Sequence, residues 1–129
     1  MAAATNVLSD EEIARKILDV GFSRERAVVA FAILVGESGL NAWAINLVSH
    51  NPEAESYLSL DLGIAQFNTF WHPNYLVADL FDPDYAIKAF FDVSKDGENF
   101  KWWVAFSNFS FVRHIARAYE AFAAIGEDV

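Results

Sequence analysis

Apolar residues recur along this chain mainly at helical spacing. The polar run "SDEE" (Ser9 to Glu12) has capping-box spacing, and Ile13, Ile17 and Val20 follow before Gly21 closes the segment. Ser23 is placed to cap the next helix, which is apolar on every side from Ala27 to Val35. A helix with no polar face belongs in the centre of a domain. From Asn41 to about Leu60 the pattern turns irregular, as in a long loop or a small hairpin, and "DLGIAQFN" (Asp61 to Asn68) reads as a turn followed by a helix. In "DPDYAIKAFFDVSKDG", Asp82 is the expected N-cap, Pro83 the first helical residue and Gly97 the residue beyond the end. Ala86, Ala89, Phe90 and Val93 share one face of that helix. A last helix is expected from about Phe109 to Ile125, with Val112, Ile115, Ala116, Tyr119 and Phe122 in register and Gly126 as its stop. The sum is a mainly α chain with a buried central helix and a small irregular or β-hairpin lobe.

One residue conflicts with this pattern. Glu37 follows the nine apolar residues Ala27 to Val35 and is boxed by Gly36, Ser38 and Gly39. It falls in the last turn of the central helix, where the macrodipole disfavours a second negative charge. Burial would add desolvation, and both effects raise a carboxyl's pKa, the condition for holding a proton near neutral pH. Alternatively, Glu37 marks the point where the helix meets solvent.

Composition narrows the function classes. The 129 residues suit one domain, residues 1–129, with no repeat and no Pro/Ser/Gly-rich linker. A 54% hydrophobic and 16% aromatic content implies a packed core rather than disorder. No apolar run approaches the ~20 residues of a membrane span, and the start "MAAATNVLSDEE" lacks the basic and apolar regions of a signal peptide. The absence of cysteine removes disulfides and thiol chemistry and leaves the compartment open. A formal charge of −9 argues against a broad basic face for nucleic acid or anionic membrane. His50, His72 and His114 lie far apart without paired spacing, so no metal site and no cofactor is expected.

The segments "GESGLNAWAIN", "SLDLGIAQFN" with "WHP" soon after, "LFDPDYAIKAFFDV" and "GENFKWW" occur in that order. Together they resemble the lysozyme-like superfamily, specifically SLT-type lytic transglycosylase domains and the related lysozyme domains of phage tails and endolysins. In those, a Glu in an E-S-G or E-S-x pattern ends a buried helix. A G-[LI]-x-Q-[IF]-N segment lines the cleft, and a D-P-x-x-N-[AIV]-x-A helix and an aromatic loop follow. The resemblance spans Ser23 to about Phe106. Ala86 stands where the family often has Asn, a difference expected to concern packing, and Lys101, Trp102 and Trp103 replace a regular W-x-x-W.

The resemblance implies that Glu37 protonates the glycosidic oxygen between N-acetylmuramic acid and N-acetylglucosamine in peptidoglycan. Asp61 is the candidate second carboxylate, or else the cap of a following helix. Without a second carboxylate, one Glu serves as acid and then as base while the substrate's 6-hydroxyl closes a 1,6-anhydro ring. Gln66 and Asn68 are expected to meet N-acetyl groups, and Ser38 to bond Glu37 or a sugar hydroxyl, or to cap the helix. Of Trp43, Tyr57, Phe70, Trp71, Tyr75, Trp102 and Trp103, two or three are expected to face sugars, with Tyr57 and Trp103 first. Many wall lysins are basic, so the acidic charge suggests delivery by a partner, such as other virion or tail proteins, of a chain made in the cytoplasm. Two readings compete: a non-catalytic virion structural or adaptor protein with a lysozyme-like fold, and a small all-α interaction domain unrelated to lysozymes.

Overall fold

A computed structural model of the chain describes residues 5–49 and 58–129. It opens with α1 (Asp10–Val20), capped by Ser9, whose hydroxyl accepts the Glu12 N–H at 3.1 Å. The central helix α2 (Arg24–Ser38) is capped by Ser23 and buries Ala27, Val28 and Ala30 to Val35, so its all-apolar surface lies at the centre of the core. Helix α1 and the C-terminal helix α6 (Ile115–Ala124) pack against it. Helix α4 (Pro83–Val93) starts as its sequence demands, with the Asp82 side chain accepting the Asp84 N–H and Pro83 at the first position. Its Ala86 is fully buried, so that residue is a packing position.

Between α2 and α4 lies an antiparallel sheet in the order β1 (Ile45–Ser49), β2 (Leu58–Leu62) and β3 (Phe67–Asn68). The stretch from Asn41 to about Leu60 thus contains β1 and the start of β2, paired antiparallel, and a short helix α3 (Val77–Leu80) follows the sheet. The helix expected within Asp61 to Asn68 is absent. Asp61 and Leu62 end β2, residues 63–66 turn, and Phe67 and Asn68 pair back as β3. Gly63 at φ +78° and Gln66 at φ +52° bend the chain there, and the Gly63 N–H bonds the Ala44 carbonyl at 2.8 Å. Such conformations exclude a helical turn.

The C-terminal helix also departs from expectation. Phe109 sits at φ +63°, residues Ser110–His114 form a 3₁₀ helix, and α6 begins only at Ile115. That break rotates Val112 off the α6 register. Ala118, Ala121 and Phe122 are buried, whereas Val112 and Tyr119 are exposed. The small Ala118 and Ala121 let α6 lie close to its neighbours, and Phe122 meets Phe31 of α2 edge-on with 6.0 Å between centroids. Packing, rather than hydrophobicity alone, chose the face.

Candidate active site

Glu37 occupies the last turn of α2, and the three small residues around it have separate tasks. Gly36 leaves room for a close approach: a Cβ there would stand 2.9 Å from the Ala105 Cβ. Because the chains can come this near, the Ala105 N–H donates to Glu37 Oε2 at 2.7 Å. Ala105 lies in the first turn of α5 (Val104–Ser107), where backbone N–H groups have no partner within the helix. Ser38 donates its hydroxyl to the Ile64 carbonyl at 2.7 Å, tying the helix end to the sheet turn, and also lies 3.1 Å from the Leu34 carbonyl. Gly39 adopts φ +61° as the C-cap, its N–H bonded to the Val35 carbonyl.

The carboxyl of Glu37 is held above its ordinary pKa, chiefly by burial and further by the nearby Asp61 charge, against the opposing pull of the Ala105 N–H. Asp61 is raised as well, again by burial, and is offset by the Asn68 amide, which donates to Asp61 Oδ1 at 2.8 Å. Strand register explains the second carboxylate's surroundings. Asn46 on β1 faces Asp61 on β2, which faces Asn68 on β3, so the three form one polar row across the sheet. Asn46 was not among the residues singled out from sequence. The alternation in "INLVS" and "SLDL" holds the signal, but without the pairing register it could not be aligned.

Two cavities share Glu37 as a wall. One, of about 660 Å³, is lined also by Ser38, Asn41, Trp43, Asn46 and Phe81. The other, of about 340 Å³, is lined also by Asp61, Asn68, Trp71, His72 and Trp102. A carboxyl with depressed acidity therefore stands where two recesses meet, with exposed Trp43 on one side and Trp71 and Trp102 on the other.

Gln66, Asn68 and Trp103 also line the smaller cavity, and their hydrogen bonds and packing tie them into the frame of this site. Gln66 is buried, with its amide nitrogen bonded to the Gly63 carbonyl at 2.9 Å and the Ala44 carbonyl at 3.2 Å, and its oxygen accepting from Asn46 at 2.6 Å. Asn68 bonds Ser59, Asp61 and the Phe70 and Trp71 N–H groups, so its polar atoms are already engaged. Trp103, expected as a sugar platform, is only 4% exposed. Its ring packs edge-on against Phe90 at 4.6 Å and its Nε1–H donates to the Ala65 carbonyl at 2.9 Å. It is a core strut between α4 and the sheet turn. Trp103→Phe would strip that carbonyl of its donor and is expected to cost about 1–3 kcal/mol in a urea titration. Tyr57 lies outside the described residues, as does His50. His72, weighed in sequence only as a metal ligand, lines the smaller cavity edge-on to Phe67, and burial lowers its pKa. Among the described residues no group of three or more His, Asp or Glu could hold a metal ion.

This geometry, a buried helix ending in a carboxylate beside a small sheet, agrees with the comparison to known families. Residues 14–105 match the family model described as a lysozyme like domain, of the SLT type. The chain belongs to this lysozyme-like family, whose lysozymes and lytic transglycosylases act on peptidoglycan. No curated protein and no solved structure gives a match.

Proposed function

We propose that the chain cleaves the N-acetylmuramic acid to N-acetylglucosamine linkage of peptidoglycan, with Glu37 as the general acid. The observation that carries this reading is the Glu37 carboxyl itself: desolvated, oriented by the Ala105 N–H and standing at the junction of two cavities. A glycan strand laid across that junction would place one glycosidic oxygen beside Glu37. Its proton passes to the leaving oxygen as the C–O bond breaks, and positive charge develops on the ring oxygen and anomeric carbon. The Asp61 carboxylate, on the same cavity wall as Glu37, is suited to stabilise that charge or to activate water. If the ionised Glu37 instead takes the proton of the substrate's own 6-hydroxyl, the product is a 1,6-anhydro sugar. Trp43, Trp71 and Trp102, rather than Trp103, offer ring faces to the sugars.

The pH profile tests the partnership. Activity that needs protonated Glu37 falls as pH rises through its pKa, and the negative charge of Asp61 raises that pKa. Asp61→Asn is therefore expected to move the alkaline limb of kcat/KM to lower pH, whatever its effect on the maximum rate. An unmoved limb would separate Asp61 from Glu37.

The net charge of −9 supports a finer reading, in which a virion or another assembly carries the domain to an anionic wall. Co-purification with intact particles tests it, and recovery only as free protein would count against it.

A further inference from the structure

Residues 99–119 contain Lys101, Arg113 and Arg117 and no carboxylate, within a chain of net charge −9. Arg117 is bound to Asp10, but neither Lys101 nor Arg113 has a carboxylate partner among the described residues. Over the same stretch Phe109 is 71% exposed, Val104 66% and Val112 57%. Backbone hydrogen bonds draw them into one bend: the Asn108 N–H bonds the Val104 carbonyl, the Phe109 N–H bonds that of Phe106, and the Val112 N–H bonds that of Phe109. Behind them Phe106 stacks on Phe111 with 5.2 Å between centroids, which fixes the bend to the core.

Phe109 is costly in two ways at once. Its ring meets water, and its φ of +63° is a conformation that bulky side chains rarely adopt. The bonds to the Phe106 carbonyl and from the Val112 N–H hold the backbone in that conformation, but the exposed ring gains no burial from it, a combination that fits a residue kept for an external contact. Glycan explains it poorly, because Phe109 and Val112 line neither cavity at Glu37. A soluble polyanion would need the cations but not the apolar side chains.

We propose that the bend at Val104, Phe109 and Val112, flanked by Lys101 and Arg113, docks on an anionic phospholipid surface. The apolar side chains enter the boundary between headgroups and acyl chains, and the two cations meet lipid phosphates. Net charge had argued against membranes, but it averages over a surface whose fields are screened beyond about 10 Å, so Lys101 and Arg113 can meet lipid phosphates although the chain as a whole is acidic. Val104 also lines the smaller cavity, so docking would hold the cleft beside the bilayer. The proposal does not depend on Glu37 being catalytic.

The test is co-sedimentation of the full chain with vesicles of phosphatidylcholine alone and of equal parts phosphatidylcholine and phosphatidylglycerol. Binding to the anionic vesicles is expected, weakened by salt and unchanged in Glu37→Gln. Phe109→Asn keeps a residue that tolerates positive φ, so it should fold at least as well by thermal melting while lowering the partition coefficient on the order of tenfold. Arg113→Glu should lower it roughly fivefold or more, most strongly at low salt. Absence of binding to either vesicle would overturn the proposal and leave the bend to a protein partner. Binding that Phe109→Asn leaves intact would overturn it equally.

Discussion

Glu37→Gln is expected to reduce glycan cleavage by about 10²–10⁴-fold while leaving the fold in place. Glutamine keeps the shape and an oxygen to accept the Ala105 N–H, now 2.7 Å from the carboxylate, but it has no proton to give. Stability should move the other way. The folded-state pKa of Glu37 is raised above its unfolded value, so its contribution is fully present below the unfolded pKa and is lost as pH rises through the folded one. Glutamine does not ionise, so the mutant should equal the wild type in acid and surpass it as the medium becomes alkaline. A dead but more stable variant would mark a carboxyl held in place for chemistry. Mass spectrometry of muropeptides, from purified peptidoglycan digested by each protein, supplies the activity readout. Products with 1,6-anhydro ends assign a lytic transglycosylase, and reducing ends assign a hydrolase and bring Asp61 forward. If the wild type leaves walls of several chemotypes uncut, the non-catalytic reading takes its place.

Gly63→Ala is expected to be the most damaging single-methyl change, costing more than about 4 kcal/mol or preventing recovery of folded protein. A Cβ at this position would lie 1.9 Å from the Leu80 carbonyl oxygen. No side-chain rotation relieves an overlap with backbone, so either the end of α3 or the sheet turn must move. The turn also carries the Ile64 carbonyl that holds Ser38 and the Gln66 that braces Asn46, so the cleft would shift with it. Gly39→Ala is the matched control. It shares a positive φ, here +61°, but a Cβ would meet nothing within 4 Å. Only the conformational cost remains there, about 1–2 kcal/mol. Thermal or urea unfolding of both variants separates steric exclusion from backbone strain. Equal losses would show that Leu80 can retreat.

Local rules carried much of the fold. Caps at Ser9, Ser23 and Asp82 and the stop at Gly21 follow from side-chain oxygens and φ preferences that act within a few residues. Where the chain left those rules, the reading failed. The helix expected in Asp61 to Asn68 became strand and turn because Gly63 and Gln66 bend the chain and β2 supplies pairing partners. The expected face of the last helix rotated because a 3₁₀ segment intervenes.

What the sequence by itself determined is the buried helix and the carboxylate in its last turn, since the apolar run and the Glu two residues beyond it are local facts. Only the tertiary structure decided what surrounds that carboxylate. Ala105 reaches Glu37 from 68 residues away, Asp61 faces Asn46 and Asn68 through strand register, and Trp103 turns inward to the Ala65 carbonyl. The physical reason is range. Capping and helical periodicity act over a turn or two, whereas desolvation, strand pairing and close backbone approach depend on which distant segments pack together, and those set the chemistry of the site.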